Sequence, residues 1–247
     1  MAASIDRTIT RAFESLAQSL RVLLEADMRA NRMGLLVVDR PEAVGNIETA
    51  LTGVLNAFHS LYDAVEKTLD PSPVDWYASG PLATVLAARN ARHHHAANGI
   101  RTLYSYHALE AARPDRMAQY VLIDFPGREE GADTFDVYVS WADLDELLRL
   151  PQSKSRLRQP TCDAIRTYLA TGKYAAYAAQ YSLPITSVFI NIVPLLVNAA
   201  AAITPHLKSY VAHGSTESRF FMEHFSSVEA ADTHNHEVNC GPFVLPA

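Results

Sequence analysis

Residues 9–33, ITRAFESLAQSLRVLLEADMRANRM, decide the fold. Apolar side chains recur at Ile9, Ala12, Leu16, Leu20, Leu23, Leu24 and Met28, with polar residues between them. Three- and four-residue spacing gathers them on one face of a long amphipathic helix, and such a face must be covered by another element. A matching stripe follows at Leu51, Val54, Leu55, Phe58, Leu61, Tyr62, Val65 and Leu69. It predicts a second helix, capped by Asn46 or Thr49 and stopped by Asp70-Pro71-Ser72-Pro73. The short apolar run from Met33 to Val38 between them is broken by Asp39-Arg40-Pro41.

A third helix is expected from Ser79, with Pro81 in its first turn, through Ala97, and Asn98-Gly99 supplies a C-terminal signal. A fourth runs from Ile100 to Ala112, before Arg113-Pro114-Asp115. The middle then changes character. Tyr120–Phe125 and Thr134–Val139 read as strands separated by the turn-rich residues 126–133, which predicts a hairpin. Ser140 or Asp143 caps a short helix after it.

Farther along, Gln159 to Gln180 reads as a helix that Gly172 bends or interrupts. Residues 183–203, LPITSVFINIVPLLVNAAAAI, are long enough to raise the question of a membrane span. Asn191, Pro194, Asn198 and the run of small alanines favour a buried core helix instead. The expected fold class is therefore mainly α: a helical bundle with long antiparallel helices and a small β-hairpin insertion in the middle. Residues 1–115 form the helical region, and residues 116–247 form the hairpin and distal helices that pack on it as one unit.

The chain has 247 residues, 49% hydrophobic and 19% charged, a composition that folds rather than remaining disordered. A net charge of -6 argues against broad, non-specific binding along a nucleic-acid backbone, which needs an extended basic footprint, but leaves room for a small basic cleft. Cys162 and Cys240 make neither a disulfide framework nor a CxxC unit, and MAASIDRTITRAFESL lacks a basic n-region and an apolar h-region. A cytoplasmic protein with no membrane association is expected. Signatures such as GxGxxG, the Walker glycine loop, GxSxG and HExxH do not occur.

What chemistry the chain concentrates lies in Arg89-Asn90-Ala91-Arg92-His93-His94-His95, on the third predicted helix. Two arginines, an amide and three imidazoles can hold a phosphate and move a proton near neutral pH. Arg89 and His93, four apart, share a helix face, whereas His94 lies roughly 140° round from Arg89. One helix therefore cannot aim both at a small target, but two copies meeting across a dimer axis could. Such a site suits metal-free cleavage of an RNA phosphodiester. A histidine takes the 2′-hydroxyl proton or donates to the leaving oxygen, and an arginine steadies the crowded phosphate.

Arg89-Asn90-Ala91-Arg92-His93-His94 resembles the Arg-polar-x-x-x-His motif of the HEPN-domain superfamily, all-helical domains with long paired helices. The resemblance covers roughly Ile9 to Ala112. It implies a metal-independent endoribonuclease of the toxin–antitoxin or phage-defence kind, acting as a homodimer without a cofactor. Its composite site would take Arg89, His94 and Asn90 as catalytic residues, with Arg92, His93 and His95 binding RNA. His95 competes with His94 for the histidine position. RNA is the implied substrate, and a protein antitoxin or regulator an implied partner.

Two other classes stand beside this one. A helical module of this kind can bind a nucleotide or protein without turnover. The pattern His224…His234-x-His236-x-x-x-Cys240 offers zinc-type ligands for a metal-dependent enzyme, though without a familiar paired spacing. Cys162, near a helix start, is positioned for a lowered thiol pKa.

Overall fold

The computed structural model describes residues 5–93, 99–110, 117–127, 135–212 and 215–245. Helix α1 spans Arg7–Asn31, and its apolar stripe is buried from Ile9 through Phe13, Leu16, Leu20 and Leu23 to Ala30. Asp6 caps it by accepting from the amides of Thr8 and Ile9. Gly34, at φ +76°, makes the left-handed turn into the single-turn helix α2 (Leu35–Val38).

Helix α3 (Arg40–Thr68) begins earlier than the apolar pattern indicates. The triplet Asp39-Arg40-Pro41 is not a break but a start: Asp39 accepts from the amide of Glu42, and Pro41 occupies the first turn, where no donor is needed. Along its length α3 buries Ile47, Leu51, Val54, Leu55, Phe58, Leu61 and Val65 and packs extensively on α1.

Helix α4 (Gly80–His93) is buried continuously from Leu82 to Ala88, and again at Asn90 and Ala91, because α3, α8 (Gln159–Tyr168) and α10 (Ile192–Leu207) surround it. A side chain at Gly80 would put its Cβ 2.6 Å from the Cβ of Tyr168, so only glycine permits the close approach of α4 to α8. Helix α5 (Leu103–Glu110) leads to strand β1 (Ala118–Asp124). Strand β2 (Tyr138–Ser140) runs directly into α6 (Trp141–Arg149), which Ser140 caps through the amide of Asp143, as its sequence indicates. Then come α7 (Gln152–Ser155), α8 (Gln159–Tyr168), a 3-10 turn at Thr171–Lys173 and α9 (Tyr174–Gln180). The helix expected over this last region is indeed interrupted at Gly172.

The expected β-hairpin does not form. In the four-stranded sheet the order is β2-β3-β1-β4, so β1 and β2 are not neighbours. Strand β3 (Val188–Asn191) lies between them, parallel to β1 (Val121 opposite Val188) and antiparallel to β2 (Tyr138 opposite Asn191). Strand β4 (Glu237–Phe243) closes the other side of β1, with Ala118 opposite Phe243. The apolar stretch read as one buried helix is thus two elements, fully buried β3 and then helix α10 (Ile192–Leu207). Asn191 marks the junction, its side chain accepting from the amide of Val193 to start the helix. Among the described residues no helix is long and apolar enough to cross a membrane.

After α10 comes α11 (Thr216–Ser227), seated on α10 and α1. One continuous apolar core runs from Ile9 to Leu245, joining both halves of the chain. Polar clamps secure the sheet to it. Asn191 donates its amide protons to Asp124, the Phe135 carbonyl and Asp136, each at 3.1 Å. Arg101 grips both carboxylate oxygens of buried Asp143 at 2.8–2.9 Å.

Candidate functional site

Two arginines on one side of α4 have opposite environments. The guanidinium of Arg92 is enclosed: Nη1 donates to the Ile100 carbonyl at 2.9 Å, and Nη2 donates to Glu48 Oε2 at 2.5 Å and Thr52 Oγ1 at 3.1 Å. The other oxygen of Glu48 accepts from Thr102. Burial of the Glu48 carboxyl works against its ionisation, but the Arg92 charge and the hydrogen bonds from Thr102, Arg92 and Ser105 outweigh it, leaving its pKa below the ordinary value. This pair joins α3, the end of α4 and the residues at 100–102, so it holds the chain on both sides of residues 94–98.

Arg89 has no such partner. Its Nε is buried without a hydrogen bond among the described residues, and Nη1 reaches only the neighbouring Asn90 Oδ1, at 3.4 Å. Asn90 itself is buried against the body. His93 ends α4. His94 and His95, the histidines predicted for catalysis and RNA binding, lie outside the described residues, as does the side chain of His93. Thus the structure brings Arg89 and Asn90 together at the C-terminal end of α4, and it assigns Arg92 to a structural ion pair.

A second cluster has no counterpart in the sequence reading. Asp27 and Asn31 of α1, Tyr104 of α5, Leu122 of β1, Asp136, Tyr138 of β2 and Phe243 of β4 line a cavity of about 400 Å³. Burial pushes the Asp27 carboxyl upward, against hydrogen bonds from Asn31 and the Asp136 amide and the nearby charge of Arg32. Burial also raises the Asp136 carboxyl, and the charges of Asp124 and Asp27 push it the same way. Tyr104, which donates to Asn31 at 2.9 Å, is pushed up to about 12, chiefly by burial. These groups converge from five elements, so no local spacing announces them.

Of the tail histidines, His236 is built into the fold. His236 donates from Nε2 to the Thr233 and Leu169 carbonyls at 2.9 and 3.2 Å, while Nδ1 accepts from Tyr177 at 3.2 Å. The two carbonyls fix a proton on Nε2, and burial lowers the pKa of the ring against them. Among the described residues no group of three histidine, cysteine, aspartate or glutamate side chains is placed to hold a metal ion. Cys162 departs from the expectation of a lowered pKa: burial pushes its thiol up, more than the Arg166 charge draws it down. No family model, curated protein or solved structure matches the chain.

Proposed function

We propose that the protein is a metal-independent endoribonuclease whose site is assembled from the C-terminal ends of two α4 helices in a homodimer. The observation that carries this reading is the buried Nε of Arg89, without a hydrogen-bond partner among the described residues, beside Asn90. A guanidinium fixed in a packed helix, with donor capacity left over, is suited to the dianionic phosphate of the cleavage transition state. His94, the residue after His93 in sequence, supplies the proton transfer, with His95 the competing position, and the 2′-hydroxyl is the nucleophile.

The packing of α4 constrains how two copies meet. Its sides are covered by its own chain, so the helices cannot face each other along their lengths and must approach end to end. We read α1 and α3 as the long antiparallel pair that anchors α4 for this purpose. Arg92 acts as a positioning residue through Glu48 rather than as a phosphate contact. RNA is the substrate class, and the cytoplasm is the location consistent with it. A protein antitoxin or regulator would act by covering the α4 end.

The test is incubation of the purified protein with single-stranded and transfer RNA in the presence of a chelator. Cleavage that Arg89→Ala and His94→Ala both abolish supports the reading. Intact RNA, or variants that cut as the wild type does, overturns it. The cavity around Asp27 and Asp136 favours a second reading, a binding module without turnover. It predicts stoichiometric ligand association in calorimetry and no RNA cleavage.

A further inference from the structure

The loop between α3 and α4 forms a small cavity with the end of α3. It has a volume of about 280 Å³, and the rings of Tyr62, Trp76 and Tyr77 share its lining with Glu66, Ser72 and Asp75. Tyr62 is the common wall. Trp76 stands at 82° to it with ring centroids 5.4 Å apart, and Tyr77 at 80° and 5.9 Å. Glu66 follows Tyr62 by four residues, so both project from one face of α3. The loop fixes its own shape. Asp75 Oδ1 accepts from the amides of Tyr77 and Ala78 at 3.1 Å each, and Ser72 Oγ donates to the Val74 carbonyl at 3.1 Å.

The charge around these rings has one sign. Among the described residues no arginine, lysine or histidine lines the cavity, whereas Glu66 and Asp75 do. Glu66 is exposed and makes no ion pair or hydrogen bond among the described residues. Lys67, its neighbour in sequence, faces Asp63 at 3.6 Å. The Tyr62 hydroxyl feels the same field: its pKa is pushed up to about 12, first by burial, then by Tyr77 and the charges of Glu66 and Asp63. Independently of charge, Trp76 carries a polar atom that the fold does not use. The residue is only 2% exposed, and its indole Nε1 is buried with no hydrogen-bond partner among the described residues. A buried donor is almost always paired, because its lost bond to water must be replaced. In the wall of a cavity, a ligand can supply that bond.

We propose that this cavity binds a small methylated ammonium compound that carries a hydrogen-bond acceptor. A methylated ammonium has few or no N–H donors, so ring faces and charge hold it rather than hydrogen bonds. The electron-rich faces of three rings attract the cation, Glu66 balances it, and the Trp76 N–H donates to the acceptor. At about 280 Å³ the cavity suits a compound of the size of choline rather than a nucleotide. It precedes the first turn of α4, at the other end of that helix from Arg89, and does not depend on the ribonuclease reading.

Calorimetry at low salt with choline and tetramethylammonium tests it, beside the uncharged alcohol in which carbon replaces the nitrogen of choline. Wild-type protein binds both cations at millimolar concentration or tighter, and the alcohol at least about tenfold more weakly. Choline, which has a hydroxyl, binds about threefold or more tighter than tetramethylammonium, which has no acceptor. Choline also shifts the indole N–H resonance of Trp76 in NMR, while that of Trp141, packed on Tyr174 in the core, stays in place. Glu66→Gln weakens choline binding about threefold and Tyr77→Leu about tenfold, with the fold of each checked by its thermal transition. Neither cation binding up to ~10 mM, the alcohol binding as well as choline, or both variants binding as the wild type does, overturns the proposal. Vesicles of phosphatidylcholine and a peptide bearing trimethyllysine are further arms. If either binds and choline does not, the ammonium belongs to a larger carrier and the small-molecule assignment falls. Because Glu66→Gln leaves Arg89 and His94 intact, RNA cleavage by it separates failure here from failure of the ribonuclease reading.

Discussion

The end of α4 and the junction of α7 with α8 each present a pair of arginines, and the pairs differ in what faces them. At α4, Glu48 takes Arg92 into a half-buried ion pair, while Arg89, one turn away, has an Nε without a partner among the described residues. At the α7–α8 junction exposed Arg156 and Arg158 have no carboxylate partner among the described residues. Arginine in a sequence therefore reports charge but not availability. A partner supplied by a distant element decides whether the guanidinium serves the fold or a ligand.

Removing Arg92 gives the largest expected effect on stability. Arg92→Ala strands the Glu48 carboxylate and frees the Ile100 carbonyl, and should destabilise the protein by about 3 kcal/mol in urea denaturation. Arg89→Ala, by contrast, removes one unsatisfied donor and should shift stability by no more than about 1 kcal/mol. Equal losses from the two substitutions would break the comparison.

The same contrast has a pH signature. The folded-state pKa of Glu48 lies below its ordinary 4.5, so the stability contributed by its ionised form is present above that pH and is lost as pH falls through the lowered folded value. Glu48→Gln should be less stable than wild type at pH 7, with the gap narrowing below 4.5. A gap that stays constant into acid would remove the ion pair from the account. His236 adds a second, separate dependence. Its pKa is lowered, so the stability of the neutral ring is complete above the ordinary 6.5 and declines as pH falls below it. Replacing it with Gln should flatten the thermal-melting profile between that pH and the folded pKa. The smallest effect belongs to the Arg156→Ala and Arg158→Ala pair, within about 0.5 kcal/mol of wild type, since neither side chain is committed to the fold.

Much of the helical frame was legible in the sequence, because α1 and α3 carry their buried stripes at helical spacing and Ser140 caps α6 where its side chain indicates. The sheet was not. An apolar run of four residues leading into a helix carries no period that separates strand from helix, so β3 was absorbed into a single predicted helix. With β3 hidden, the two visible strands had only each other to pair with, and a hairpin was the economical but incorrect arrangement. Asn191 held the missing signal: an amide between an apolar run and a helix is a cap, and here it also ties β3 to Asp124 and Asp136. At the candidate site, Arg89 and Asn90 were visible as a local motif. The structural role of Arg92 was not, because Glu48 lies 44 residues earlier. The cavity at Asp27 and Asp136 was equally hidden, since it exists only once five elements meet.

The central claim is that Arg89, rather than Arg92, acts on RNA. Single-turnover cleavage of transfer RNA in chelator, by wild type and by folded Arg89→Ala, Arg89→Lys and His94→Ala proteins, measures it directly. The account predicts cleavage by the wild type, loss of about 100-fold or more in rate for Arg89→Ala and His94→Ala, and little rescue by lysine, which cannot reproduce the planar fork. No cleavage by the wild type, or undiminished cleavage by Arg89→Ala, would contradict it.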